Sequence, residues 1–156
     1  MLFNEDIYKF MYSALKEAED ALIEDEVPVG AVVVYNNVII GKGHNQVEKL
    51  KDATAHAEMI ALTSAANHLG NWRLNECDLF VTLEPCIMCT GAALSSRIKN
   101  IYFSNFDPKF GACGSVYNLA EDGKYNHKIN LYSGIYSAES ELLLKKFFSK
   151  IRKKEI

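Results

Sequence analysis

The chain has 156 residues, of which 49% are hydrophobic and 24% are charged, and its formal net charge is −3. These values are typical of one globular domain over residues 1–156; they exclude a disordered chain and leave no room for a second catalytic domain. The small negative charge also argues against a protein that binds nucleic acid over its whole surface, because phosphate binding draws on an excess of Lys and Arg.

The N-terminal segment shows no sign of export. Its sequence, MLFNEDIYKF, carries acidic residues where a secretory signal has basic ones followed by an apolar run. The longest apolar stretches, such as residues 30–35, are far shorter than the roughly 20 residues that cross a bilayer. Four cysteines in a chain without such a signal favour metal binding or free thiols over disulfides. We therefore expect a cytoplasmic protein with no membrane segment.

A helix and a two-stranded hairpin are predicted first along the chain. Asn4 can cap a helix, and apolar residues recur after it at helical spacing as far as Leu22. Two β-branched runs, residues 27–35 and 38–43, are separated by an Asn-Asn pair that favours a tight turn. We interpret the two runs as the strands of a hairpin.

A second helix, a buried strand and a third helix follow. The Ala-rich segment 54–67 predicts a helix, with Thr54 or Asp52 as its N-cap. Residues 78–83, DLFVTL, are typical of a buried strand. Pro85 comes shortly after that strand, and proline is favoured at the first position of a helix, so a third helix is predicted to open at the cysteines.

The last third of the chain predicts two more strands and a terminal helix. The strands cover residues 99–105 and 129–136, a Gly-rich loop lies between them, and Ser137 can cap the helix. The resulting order, α-β-β-α-β-α-β-β-α, predicts an α/β fold in which a mixed five-stranded sheet is covered by helices on both faces. Trp72 is expected in the core.

His56, Cys86 and Cys89 form a candidate metal site. Imidazole and thiolate are ligands that zinc prefers, and a catalytic site needs three protein ligands so that a fourth position can hold water. Two residues between the cysteines place both sulfurs on one face of the first helical turn. The histidine begins a different helix, so both sets of ligands lie at helix N-termini, where the helix dipole lowers the pKa of a thiol.

The CIMC segment alone is equally compatible with a redox pair or with half of a structural zinc ribbon. A structural site would need a fourth ligand, and the remaining cysteines, Cys77 and Cys113, stand alone in the sequence. Glu58 follows His56 by two residues and can border the metal without binding it. The combination of HAE with PCIMC therefore favours a catalytic site with one zinc ion per chain.

The HAE and PCxxC segments resemble the signature of the cytidine and nucleobase deaminase superfamily. Almost the whole chain is similar to the bacterial tRNA-specific adenosine deaminase family, through VPVGAVVV, GHN, TAHAEMIAL, VTLEPCIMCTGA, SRI, DPKFGACGS and FFSKIRKK. The resemblance implies a cytidine deaminase-like fold and a homodimer. It also implies that adenosine at the wobble position of a tRNA anticodon is converted to inosine.

The resemblance assigns the proton transfers to Glu58. In this family chemistry the glutamate takes a proton from a zinc-activated water that attacks C6 of adenine, and it returns protons to N1 and to the departing amine. The chain is thus expected to form one zinc-dependent deaminase domain over residues 1–156.

Three further residues match family positions that contact RNA. Asn45 matches the residue that hydrogen-bonds the flipped base, although an Asn after a strand is also a common turn former. Asp107 and Lys109 match positions near the RNA backbone and sugars, although the same segment is also compatible with a solvated loop.

The C-terminal segment is basic. Residues 145–154, KKFFSKIRKK, carry six positive charges and no negative one. Phe147 and Phe148 are consecutive and point about 100° apart on a helix, so at most one is centred on the core and the other can stack on a base. The resemblance favours Phe148 and Arg152 as contacts to the anticodon stem-loop, whereas both phenylalanines could also pack on a wide apolar face.

Two other interpretations keep the same metal ligands. One is a deaminase of a free nucleobase or nucleoside of the guanine or cytosine type. The other is a non-catalytic RNA-binding or structural zinc subunit that partners another deaminase. The basic C-terminal segment argues against the first, and Glu58 argues against the second, because such a subunit has no use for a proton shuttle.

Overall fold

Five strands form one sheet at the centre of the structure, a computed structural model that describes residues 2–154. The strands are β1 (Gly30–Tyr35), β2 (Val38–His44), β3 (Asp78–Leu83), β4 (Asn100–Asn105) and β5 (Asn130–Ser133). The helices are α1 (Glu5–Ile23), α2 (Val47–Leu50), α3 (Ala57–Leu69), α4 (Ile87–Ser95) and α5 (Ser137–Lys154). Among residues 2–154, no helix is long and apolar enough to cross a membrane.

The strands lie in the order β2-β1-β3-β4-β5. Strand β1 pairs antiparallel with both β2 and β3, whereas β3, β4 and β5 run parallel to one another. The sheet is therefore mixed, as predicted. The parallel arrangement also brings the ends of β3 and β4 to the same edge of the sheet, and the segments that follow these two strands can meet there.

Helices cover both faces of the sheet. Successive residues of a strand point to opposite faces. In β1, Ala31 and Val33 join the core that includes residues of α3 and α4, whereas Val32 and Val34 join the core that includes residues of α1. Helix α5 packs beside α1. The predicted fold class, with helices on both faces of a five-stranded sheet, is confirmed.

Helix α3 lies directly against β2 because two glycines of that strand leave room for it. A Cβ atom at Gly41 would lie 2.4 Å from the carbonyl oxygen of Ala61, and one at Gly43 would lie 2.4 Å from that of Ala57. The helix backbone thus occupies space that a side chain would fill at any other residue. This close approach places the first turn of α3 beside the end of β2.

The start of α3 differs from the sequence prediction. The N-cap is His56, and neither Thr54 nor Asp52 has that position. Asp52 instead accepts hydrogen bonds at Oδ1 from the backbone nitrogen and the hydroxyl of Thr54, at 2.8 and 2.7 Å, and so closes a turn before the helix. The helix therefore begins at Ala57, and the histidine lies at its N-terminus.

Three further predictions need correction. The sequence predicts Pro85 at the first position of α4, but Pro85 precedes the N-cap of that helix, which is Cys86. It also predicts Ser137 as the cap of α5, but Ser137 is the first residue of that helix. Trp72 is 55% exposed, and its ring lies 4.3 Å from the guanidinium of Arg73. The indole thus interacts with a neighbouring cation at the surface and lies outside the core.

Candidate active site

His56, Cys86 and Cys89 come together where the N-termini of α3 and α4 meet. His56 is the N-cap of α3, Cys86 is the N-cap of α4, and Cys89 lies in the first turn of α4. The Nδ1 atom of His56 lies 3.6 Å from the Sγ atom of each cysteine. The three ligand atoms all lie within 4.8 Å of one another. The structure therefore assembles all three residues that the sequence suggested as metal ligands.

The spacing of these atoms fits a tetrahedral zinc ion. Zn–S distances of about 2.3 Å and Zn–N distances of about 2.0–2.1 Å place sulfur and nitrogen about 3.5–3.6 Å apart in such a site. The two observed S–N distances are both 3.6 Å. Three protein donors also leave one tetrahedral position open, which is typical of catalytic zinc and not of structural zinc.

The two thiols differ in acidity. A hydrogen bond from the Cys89 thiol lowers the pKa of Cys86 to about 4, and the neighbouring His56 imidazole acts in the same direction. The same hydrogen bond raises the pKa of Cys89. The hydrogen bond between His56 and Cys86 raises the pKa of the His56 imidazole. Cys86 is therefore a thiolate at neutral pH, which is the form that binds metals.

Glu58 lies in the first turn of α3 and is only 4% exposed. Burial raises the pKa of its carboxyl to about 7, and the nearby Cys86 thiolate acts in the same direction. A carboxyl group with a pKa near neutrality can both accept and donate a proton. Glu58 thus has the properties of a general acid and base beside the His56, Cys86 and Cys89 cluster.

Asn45 follows β2 directly and lies beside the same helix terminus. Its Oδ1 atom accepts a hydrogen bond of 3.0 Å from the backbone nitrogen of Ala57. Because a backbone N–H donates this bond, the side-chain oxygen must face the helix and the amide nitrogen must point away from it. Within residues 2–154, no protein acceptor lies in hydrogen-bond contact with that nitrogen. The sequence did not predict that Asn45 also caps α3.

Asp107 and Lys109 lie in a loop that contacts the metal-ligand segment. Asp107 accepts hydrogen bonds at Oδ1 from the backbone nitrogens of Lys109 and Phe110, at 3.1 and 3.3 Å. Gly111 forms an isolated β-bridge with Cys86. The loop is thus aligned with one of the candidate metal ligands, and the Lys109 side chain is exposed.

Glu84 anchors this loop, and its role was not predicted from the sequence. Its carboxylate, in a side chain that is only 2% exposed, accepts hydrogen bonds from the backbone nitrogens of Asp107, Cys113 and Ser115 at 2.9, 2.9 and 3.0 Å. The Ser115 hydroxyl donates a fourth bond. A Cβ atom at Gly111 would lie 2.2 Å from the Glu84 carboxyl carbon, so only glycine fits there.

A second buried carboxylate fixes the segment after Asn45. Glu26 is 2% exposed and accepts hydrogen bonds from the backbone nitrogens of Glu48 and Lys49, at 3.0 and 2.8 Å. These nitrogens belong to the first turn of α2 and would otherwise lack partners. Helix α2 was not predicted from the sequence, since it has only four residues.

The two phenylalanines of α5 have different surroundings. Phe147 is 7% exposed, whereas Phe148 is 47% exposed, so Phe148 is the one that is free to contact a partner. Arg152 is exposed in the last turn of the helix. Nearby, Lys150 pairs with Asp25 at 3.0 Å. The end of α5 thus contacts the turn that precedes Glu26, and Glu26 in turn anchors α2.

Comparisons with known proteins place the chain among zinc-dependent deaminases. The family model for the cytidine and deoxycytidylate deaminase zinc-binding region matches residues 4–105. The tRNA-specific adenosine deaminase of Bacillus subtilis is 43% identical over 146 residues, with 94% of this chain and 91% of that protein covered. The enzyme of the same name from Aquifex aeolicus is 46% identical over 143 residues, with 92% and 94% covered.

A solved structure is also similar over most of its length. It comes from biochemical and structural studies of A-to-I editing by tRNA:A34 deaminases at the wobble position of transfer RNA. The TM-score is 0.84 at 41% identity, with 87% of this chain and 99% of that chain covered.

Proposed function

The chain belongs to the cytidine and deoxycytidylate deaminase family, and on this premise we propose that it converts adenosine to inosine at the wobble position of a tRNA anticodon. The observation that carries the proposal is the cluster of His56, Cys86 and Cys89 beside the buried Glu58. This arrangement supports hydrolytic deamination. The tRNA-specific adenosine deaminases among the relatives favour adenosine in tRNA over a free guanine or cytosine base as the substrate.

We propose that one zinc ion per chain is held by Nδ1 of His56 and by the sulfurs of Cys86 and Cys89. The S–N distances support this assignment. When bound, zinc lowers the pKa of a water molecule and so supplies a nucleophile at neutral pH.

Glu58 moves the protons in this proposal. Its carboxylate accepts a proton from the water that attacks C6 of adenine and donates that proton to N1. It then accepts the second proton of the water from the hydroxyl group on C6 and donates it to the amine as the C–N bond breaks. Its buried position supports both transfers, because burial keeps its pKa near neutrality and keeps bulk water away. Ammonia leaves and inosine remains.

Asn45 orients the base in this proposal. Its oxygen is occupied by the Ala57 backbone, so its amide nitrogen is the atom that remains to donate a hydrogen bond to the flipped adenine. Two of the outer contacts to the anticodon stem-loop come from Asp107 and Lys109, which lie in the loop beside Cys86. Phe148 and Arg152 add contacts from the exposed side of α5.

We also propose that the protein acts in the cytoplasm as a homodimer. Ile87, next to Cys86, is 61% exposed, although isoleucine usually lies in a core. It borders a groove of about 450 Å³ along α4, to which Leu94, Leu119 and Tyr125 also contribute. A second copy of the chain would cover the exposed side chains of Ile87 and Tyr125. An Ile87→Asp variant that stays dimeric in light scattering would remove α4 from the interface.

The proposed activity is tested by incubating the zinc-loaded protein with an anticodon stem-loop, with free bases and with nucleosides. Mass analysis of the products is expected to identify inosine at the wobble position of the stem-loop. Rapid conversion of a free base alone would overturn the choice of substrate. Bound zinc without turnover of any of these substrates would favour a non-catalytic subunit.

A further inference from the structure

Residues 107–115 form a rigid loop beside the proposed zinc site. Glu84 accepts four hydrogen bonds from this loop, as described above. The backbone nitrogen of Ala112 donates a bond of 2.9 Å to the carbonyl oxygen of Pro85, and Gly111 pairs with Cys86. The path of the loop is therefore fixed relative to a proposed zinc ligand. We call these residues the anchored loop.

Phe110 projects from the anchored loop into solvent. It is 67% exposed, and no other aromatic side chain among residues 2–154 is more exposed. Its backbone is nevertheless held in place, because its nitrogen donates to Asp107 and the next residue, Gly111, pairs with Cys86. These contacts keep residue 110 next to Gly111 and therefore close to Cys86, while its ring is exposed to solvent.

A neighbouring aromatic residue shows the contrast. Phe106 is also exposed, at 54%, but its ring makes an edge contact with Phe103, at a centroid distance of 5.2 Å. In the part of the chain that the structure describes, no other ring or cation lies against the ring of Phe110. The ring of Phe110 is thus available to an external partner.

The chemistry around Phe110 favours a nucleic acid base as that partner. Lys109, its neighbour, is an exposed cation that can attract phosphate. Extrusion of a nucleotide from a stack leaves the adjacent base without one of its stacking neighbours. An aromatic side chain can take that place, since every base has a face on which a ring can stack.

We propose that Phe110 stacks on the unpaired nucleotide next to the adenosine that enters the site. The proposal rests on the proposed function, and it adds a substrate contact that sets how well the flipped conformation of the anticodon loop is bound. The occupant of this surface is a base of single-stranded RNA.

Steady-state kinetics on the anticodon stem-loop tests the proposal with Phe110→Ala, Phe110→Leu and Phe110→Trp. Loss of one stacked base is expected to raise KM about tenfold or more in the Ala and Leu variants, with a smaller change in kcat. The Trp variant is expected to keep the KM of the wild type. Because the side chain is exposed, zinc content and thermal unfolding are expected to be unchanged in all three.

Trp72→Ala is the matched control. Trp72 is also an exposed aromatic residue, at 55%, but it lies beyond the C-terminus of α3, whereas His56 caps the N-terminus. A helix of 13 residues separates the two by roughly 20 Å. The control is expected to leave KM unchanged.

Fluorescence gives a second measurement, because Trp72 is the one tryptophan of the sequence. In a Trp72→Phe, Phe110→Trp double variant, binding of the stem-loop is expected to quench the emission of the tryptophan at position 110. A wild-type KM in both Phe110→Ala and Phe110→Leu, or in Phe110→Leu alone, would overturn base stacking. A wild type that leaves the stem-loop unconverted would instead overturn the proposed function, and this inference with it.

Discussion

Asn45 and Ala57 are joined by a hydrogen bond of 3.0 Å between the side-chain oxygen of Asn45 and the first backbone nitrogen of α3. The bond connects the end of β2 to the helix turn that carries Glu58, with His56 immediately before it. It satisfies one of the free backbone nitrogens at the start of the helix, and it fixes which way the amide group of Asn45 points. The oxygen of the Asn45 side chain thus holds the start of α3, and its amide nitrogen remains available as a donor.

These two contacts of Asn45 can be separated by mutation. Asn45→Asp keeps the acceptor for Ala57 but lacks the amide donor, so kcat/KM on the stem-loop is expected to fall about tenfold at nearly unchanged thermal stability. Asn45→Ala removes both groups and is expected to lose about 1 kcal/mol of stability in addition. Kinetics and thermal unfolding of the two variants check this. An Asn45→Asp enzyme with the wild-type rate would show that the amide does not contact the base.

Glu58 is expected to be essential for turnover but not for zinc binding. Glu58→Gln keeps the shape of the side chain but cannot accept a proton, so kcat is expected to fall by about 10²–10⁴-fold. Zinc content, measured by elemental mass spectrometry, is expected to stay at the wild-type value because Glu58 is not among the clustered donors. Loss of zinc with partial activity retained would contradict the proton-transfer role.

The metal ligands could be predicted from the sequence, because zinc chemistry restricts both residue type and spacing. Histidine and cysteine are rare in this chain, and two residues separate Cys86 from Cys89, which is a spacing typical of zinc ligands. These two cysteines and His56 can therefore be identified before the fold is known. Glu84 and Glu26 could not be identified in this way. Their partners are backbone nitrogens between 22 and 31 residues away, and any residue type can supply such a donor.

Helix α3 shows why element boundaries are harder to predict than elements. Thr54 and Asp52 both favour an N-cap, but they bond to each other, so the chain turns once more before the helix starts. The capping oxygen then comes from Asn45, 12 residues earlier. A local sequence pattern cannot show a cap that is supplied by another element.

Removal of the metal is expected to make one of the two proposed thiol ligands reactive. With a chelator, Cys86 should react with an alkylating reagent, because it is partly exposed and its pKa is lowered to about 4, and added zinc should protect it. Cys89 is fully buried and is expected to stay unmodified in both states. Cys77 and Cys113 are buried, and burial raises their pKa to about 11 and about 12, so they serve as internal controls that react in neither state. Peptide mass mapping identifies the modified residues.

Zinc is also expected to stabilise the fold, because it binds the native arrangement of ligands. At a free zinc concentration 100 times the dissociation constant, the free energy of unfolding should rise by about 2.7 kcal/mol. Deaminase activity should disappear when a chelator removes the zinc and should return when zinc is added. Equal alkylation of Cys86 with and without zinc would exclude it as a ligand.

Glu84 is expected to matter for stability and for RNA binding together. In Glu84→Gln, one carboxylate oxygen is replaced by an NH₂ group that faces backbone N–H donors. At least one buried donor of the anchored loop is then left without a partner, at a cost of about 1–3 kcal/mol in unfolding free energy. The released loop should also raise KM for the stem-loop, because Lys109 and Phe110 are no longer held beside Cys86.

Ser115→Ala is the matched control for Glu84→Gln. It removes only the hydroxyl bond to Glu84 and keeps the three bonds from backbone nitrogens, so the loop should stay in place. Denaturant unfolding is expected to show a smaller loss of stability than in Glu84→Gln, and KM should stay near the wild-type value. A Glu84→Gln protein that is destabilised but has a normal KM would show that Glu84 supports the fold without positioning the RNA contacts.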